Sequence, residues 1–195
     1  HETAASRVAA AEKFIANLNA RDGDQFYLFL RGRTYNKTQG RYSGWERKRG
    51  AITEFIRVLK GELTSLQTFV GNREALVGAQ FVITLDSDTN MLYESDQSLV
   101  AAALHPHNRP IIGPEGVVAK GYGILAPKIS AELASAKATP FSRVMNGCGG
   151  VTAYETRDKD FYQDLFGESI FSGKGLIDVD AFHAVLNTRF PDNQV

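Results

Sequence analysis

The chain has 195 residues, suited to one domain of ordinary size, and 43% of them are apolar, enough for a sizeable core. Twenty-two basic residues balance 22 acidic ones, so no global field draws the chain to nucleic acid or to acidic lipid. Cys148 is the single cysteine, which excludes an internal disulfide framework and fits a reducing compartment.

The start at His1, without methionine and without a basic segment leading into an apolar block, is not a secretory leader and is read as a fragment boundary. No apolar run approaches the length needed to span a bilayer. Residues 3–20 read as a helix, because Val8, Ala11, Phe14, Ile15 and Leu18 recur every three or four positions and share a face. Asp22-Gly23-Asp24 ends it with turn chemistry. Phe26 to Leu30 is a short, continuously apolar run, the pattern of a strand covered on both faces. A polar, basic loop is expected from Arg31 to Gly44.

Trp45 to Lys60 reads as a second helix, with Ile52, Phe55, Ile56 and Leu59 inward and Gly61 as its stop. Phe81-Val82-Ile83-Thr84-Leu85 is the clearest buried strand and runs straight into Asp86-Ser87-Asp88-Thr89. Residues 94–104 return to helix and close on the loop His105 to Pro110. Extended backbone is expected around Gly121-Tyr122-Gly123-Ile124-Leu125, and helices near 158–166 and 178–187. Asn146 to Gly150 is the candidate flexible loop. Strands alternating with helices, without repeats or low-complexity linkers, predict one α/β domain over 1–195 with a largely parallel sheet.

In open α/β sheets ligands bind beyond the carboxyl ends of strands. Asp86 and Asp88 stand at such an end. In extended backbone residues two apart point to one side, so both carboxylates can meet one hard cation, Mg²⁺ or Mn²⁺. A pair of solvated or helix-capping aspartates is the plainer alternative. Residues 31–60 hold nine Lys/Arg against Glu46 and Glu54. Within that stretch, Arg47, Lys48 and Arg49 begin the predicted helix, where backbone N–H groups and the helix dipole already favour an anion such as a diphosphate. An exposed basic turn is the alternative.

Other residues point less sharply. Gly173-Lys174-Gly175 leaves room for an acceptor to approach the backbone, or forms a simple turn. Asp178 and Asp180 flank a helix start, which favours capping. Asp164 and Glu168 read as helix-surface charges. His105 and His107 lack the partners that zinc requires. Trp45 and Tyr122 offer faces for a sugar or a base, or serve as walls, and Cys148 has no activating neighbour.

Several segments together resemble the glycosyltransferase domain of cyclic β-1,2-glucan synthases: Gly44 to Gly50, Phe81 to Thr89, His105 to Pro110, Gly121 to Leu125, Tyr162 to Glu168, Gly173 to Gly175, Asp178 to Phe182 and Arg189 to Asn193. They follow the family's order over residues 26–195. The resemblance implies a GT-A-type, Rossmann-like fold, UDP-glucose as donor, a divalent metal on Asp86 and Asp88, and a β-glucan acceptor. It further implies a soluble domain of a large multi-pass synthase, at the cytoplasmic face of a bacterial inner membrane. An α-linked donor and a β-linked product require inversion, with a general base close to the acceptor hydroxyl. By the resemblance that base is an acidic residue beyond Val195 and the first strand precedes residue 1, so the fragment alone is expected to be inactive. Two other functions compete, a metal-dependent nucleotidyltransferase and a non-catalytic binding or scaffold module.

Overall fold

In a computed structural model of the chain, residues 4–37, 40–127, 129, 132–145, 165–166, 171 and 173–186 are described. Helix α1 (Ala4–Asp22) packs against strands β1 (Leu28–Arg31) and β4 (Leu66–Val70), which pair antiparallel. Val8, Ala11, Ile15 and Leu18 are half-buried as their spacing predicts, whereas Phe14 is 62% exposed. Phe14 sits at the edge of the apolar stripe, and a two-stranded layer is too narrow to cover it.

The basic loop contains a short hairpin, β2 (Thr34–Asn36) with β3 (Arg41–Ser43). Tyr35 and Tyr42 face each other across it, ring centroids 5.3 Å apart in an edge-on arrangement. Cross-strand aromatic pairs of this kind stabilise hairpins. Charge alone marked the segment as a loop, and the tyrosine pairing was the signal overlooked.

Helix α2 (Arg47–Leu59) places Thr53, Ile56, Val58 and Leu59 in the interior. Gly61, with φ +77°, ends it as expected, its N–H bonded to the Val58 carbonyl at 2.9 Å. β5 (Phe81–Thr84) follows, then α3 (Ser95–Leu104), the hairpin β6 (Ile111–Ile112) with β7 (Val118–Lys120), and β8 (Ile124–Leu125). Two short helices, α4 (Leu133–Lys137) and α5 (Pro140–Met145), precede β9 (Gly175–Asp178) and α6 (Val179–Leu186).

The centre is a three-stranded sheet in the order β5-β9-β8. All four residues of β9 are buried, because β5 and β8 flank it, helices α3 and α6 lie against it, and α2 side chains join its core cluster. Ile56, Leu59, Ile177, Val179 and Phe182 form the core cluster there. Each such side chain contributes about 1.5–3 kcal/mol on burial. Among the described residues all five strand pairings are antiparallel, where the alternation of elements predicted a largely parallel sheet. Short apolar runs report burial and carry no information about strand direction. The expected helix near 158–166 lies outside the described residues except at Leu165 and Phe166, and the 146–150 loop lies outside them entirely. No helix of the described residues is long and apolar enough to cross a membrane.

Candidate functional site

The pairing of β5 with β9 fixes the site. Thr84 lies opposite Gly175, so the carboxyl end of β5 meets the start of β9. Two residues beyond β5 comes Asp86; immediately before β9 comes Lys174. Their side chains meet, Lys174 Nζ lying 3.1 Å from Asp86 Oδ2. From the first turn of α2, Lys48 Nζ reaches the other oxygen, Asp86 Oδ1. One carboxylate therefore holds two ammonium groups brought from two different elements. Lys48 first, and Lys174 after it, hold the Asp86 carboxyl below its ordinary value by donating hydrogen bonds to the ionised form.

Asp88 does not join them. Residues 87–88 form a turn, with the Thr89 N–H bonded to the Asp86 carbonyl at 3.1 Å, so the extended alternation ends at Thr84. The Asp88 side chain is exposed and accepts a long contact, 3.4 Å, from the Thr89 hydroxyl. Among the described residues no group of three or more His, Cys, Asp and Glu is arranged to hold a metal. The rings of His105 and His107 lie tilted to each other, centroids 5.5 Å apart, on an exposed loop.

The entry to α2 is held by unusual backbone. Glu46 and Arg47 both have positive φ, +52° and +46°. Such conformations cost about 1 kcal/mol or more per non-glycine residue and persist only when neighbours over-determine them. Arg31 supplies that constraint. Its guanidinium donates to the Arg47 carbonyl at 2.8 Å and to the Trp45 carbonyl, lies 5.9 Å from the Trp45 ring centre, and pairs with Glu54 at 3.2 Å. Trp45 is thus a half-buried wall beneath Arg31, and Tyr122 is 51% exposed.

Much of the basic excess over residues 31–60 is spent inside the fold. Arg31 pairs with Glu54, Arg49 with Glu46, Arg57 with Glu62, Lys60 with Asp180, and Lys48 with Asp86. Arg47 is exposed, and among the described residues no carboxylate pairs with it.

The glycines of 173–175 serve the chain itself. A Cβ on Gly175, whose φ is +146°, would meet the Leu125 carbonyl at 2.5 Å, so this glycine lets β8 and β9 close up. A Cβ on Gly173 would press the Lys48 stem at 3.3 Å, so its absence gives Lys48 its path to Asp86. Asp178 is buried and caps α6, accepting from the Ala181 N–H at 2.8 Å, which bears out the capping expectation. Asp180 is exposed and bound to Lys60 at 2.8 Å.

Sequence reasoning missed that Lys174 belongs beside Asp86, because 88 residues separate them and only the β5–β9 register unites them. It also missed a cavity of about 320 Å³ whose apolar wall is Ile52, Ile124, Phe171, Phe182 and Leu186, with Lys48, Arg49 and Gly173 completing it. Lys48 is thus shared between the cavity and the Asp86 centre, the arrangement of an apolar pocket with a few convergent charges.

No family model matches the chain. Over 191 residues it is 39% identical to "Cyclic beta-(1,2)-glucan synthase NdvB" of Rhizobium meliloti (strain 1021), covering 95% of this chain. The chain belongs with the cyclic β-(1,2)-glucan synthases. It spans 7% of that relative's length, so the alignment relates this segment to one part of a far larger protein.

Proposed function

We propose that this segment is the donor-binding core of an inverting glucosyltransferase, which takes glucose from UDP-glucose and adds it to a growing β-1,2-glucan during cyclic glucan synthesis. The observation that carries the reading is the Asp86 carboxylate at the end of β5, bracketed by Lys48 and Lys174. Ammonium groups converging from a helix start and a strand start suit the two phosphates of a nucleoside diphosphate. Exposed Arg47 is a third cation at that helix start, and Arg49 lines the adjoining cavity.

Asp86 and Asp88 offer hard oxygen donors, the chemistry Mg²⁺ or Mn²⁺ prefers. With so few carboxylates, diphosphate oxygens and water would complete the shell. A divalent cation bound there supplies Lewis-acid neutralisation of the departing diphosphate. The chain's own part is to orient the donor: Lys48 and Lys174 fix the phosphates, and Arg31 holds the α2 entry that aims Lys48. In-line attack by an acceptor hydroxyl then breaks the bond from the anomeric carbon to the diphosphate oxygen, while a general base takes the hydroxyl proton. The GT-A-type fold, and a place at the cytoplasmic face of a bacterial inner membrane within a multi-pass synthase, belong to the same proposal.

UDP binding to the full-length protein, measured by calorimetry with Mn²⁺ present, tests it. Asp86→Ala and Lys48→Ala should each weaken binding by roughly tenfold or more, a loss of about 1.4 kcal/mol or more. Unchanged binding in both sinks the assignment. The internal pairing of so many basic residues favours a second reading, a scaffold module whose Asp86 contacts are purely structural. Absence of any UDP-linked thermal shift, together with a large destabilisation in Asp86→Ala, would support that reading instead.

A further inference from the structure

We infer that Glu62 and His183 form a proton-operated clasp, which fastens α6 to the end of α2 while the imidazole is charged and slackens when it is neutral. The inference does not depend on the donor-binding reading.

Helices α2 and α6 pack together, and both wall the cavity, α2 with Lys48, Arg49 and Ile52 and α6 with Phe182 and Leu186. Just past the last turn of α2 the backbone holds Glu62 in place. Its N–H donates to the Arg57 carbonyl at 2.9 Å, and its own carbonyl accepts from the Arg73 guanidinium. The Glu62 carboxylate serves two partners: Oε2 accepts from Arg57 Nε at 2.7 Å, and Oε1 lies 2.5 Å from His183 Nε2. Three residues before His183, on the same face of α6, Asp180 accepts from Lys60 Nζ at 2.8 Å. The end of α2 is therefore tied to α6 twice, and only the tie through His183 contains a group that changes charge near neutrality.

Arg57 and Lys60 are the other cations beside this contact, and each is bound to a carboxylate oxygen of its own. Asp178, at the head of α6, accepts from the Ala181 N–H, and β6, packed against α6, brings only Ile111 and Ile112. Protonated, the imidazole donates a charge-assisted bond to an ionised carboxylate. Neutral, it offers an ordinary N–H, a bond about half as strong. Glu62 stays ionised throughout, held below its ordinary value by Arg57 first and by His183 after it. The contribution of the clasp is thus complete in mild acid and declines as pH rises through the imidazole range, about pH 5–8. The His183 side chain is 25% exposed, so solvent protons reach it. Phe182 is its neighbour and Leu186 follows within a turn, so slackening the clasp loosens the cavity wall.

Hydrogen exchange of the purified full-length protein, read by mass spectrometry on peptides spanning α6 at about pH 6 and about pH 8, tests the clasp. After division by the intrinsic exchange rate at each pH, wild-type α6 should be roughly threefold to tenfold less protected at the higher pH. His183→Gln keeps an N–H for Glu62 but takes up no proton, so its α6 protection should be alike at both pH values. Glu62→Gln should flatten the response too, whereas Asp180→Asn should lower protection at both and leave the difference in place. Unchanged protection of β5 peptides shows that each variant is folded; should His183→Gln fail that check, Glu62→Gln decides in its stead. Equal wild-type protection at both pH values, or a folded His183→Gln that keeps the wild-type difference, would overturn the inference.

Discussion

Substituting Gly50 by alanine sets two local rules against each other. In an isolated helix the change is favourable by about 1 kcal/mol, because alanine surrenders less backbone freedom than glycine. Here the new Cβ would lie 2.1 Å from the Trp45 carbonyl oxygen, 2.5 Å from an Arg31 guanidinium nitrogen and 2.7 Å from the Trp45 ring. The backbone oxygen cannot move aside without disturbing the left-handed pair Glu46 and Arg47 that follows it. Overpacking of this sort costs about 1–3 kcal/mol, and loss of the charged hydrogen bond from Arg31 to the Trp45 carbonyl adds about 1.5–3 kcal/mol. Net of the helix gain, Gly50→Ala should destabilise by about 1.5–5 kcal/mol. For a domain of this size that is a fall in melting temperature of roughly 3–20 °C. Thermal unfolding followed by circular dichroism measures it. UDP affinity should fall as well, since Lys48 is two residues away on the displaced turn. A variant that melts at or above the wild-type temperature would refute the steric argument and with it the role of Arg31 in aiming α2.

Three further outcomes follow from the same geometry. Gly175→Ala combines a left-handed backbone with a Cβ only 2.5 Å from the Leu125 carbonyl, so it should part β8 from β9 and cost about 2 kcal/mol or more in chemical denaturation. Asp178→Ala removes the α6 cap and should cost about 1–2 kcal/mol by the same assay, leaving Mn²⁺-dependent UDP affinity within twofold. Glu62 is held below its ordinary value of 4.5 by Arg57 first and by His183 after it. A depressed carboxylate contributes stability that is present above its unfolded value and is lost as pH falls through its folded value. Wild-type melting temperature should therefore drop more steeply below pH 4.5 than that of Glu62→Gln; parallel curves would show that this cluster adds nothing.

The longer helices were legible because their periodicity is a local property, whereas the short α4 and α5 were not read. Trp45 to Lys60 and 178–187 each appear within two residues of the expected bounds. Strand Phe81 to Leu85 was legible too, being long and apolar between turn residues. β9 was not. At four residues beginning with glycine it carries too little pattern, and its neighbours 173–175 looked like an open turn. With β9 unread, neither the antiparallel register nor the approach of Lys174 to Asp86 was available. Asp86 stands where its place after a strand puts it, whereas Asp88 lies in a turn at 87–88 and not in extended backbone, exposed and outside the lysine pairs. The basic stretch overstated the free positive charge, since a sequence shows the cations and conceals the distant acids, Glu62, Asp86 and Asp180, that neutralise them.

Donor turnover by the full-length protein bears most directly on the central claim. With UDP-glucose labelled in the sugar, one free UDP should appear for each glucose found in β-glucan. Asp86→Asn, folded as judged by its melting curve, should lose about a hundredfold or more of that rate. Release of pyrophosphate, or transfer by Asp86→Asn at the wild-type rate, would contradict the assignment of this centre to the donor diphosphate.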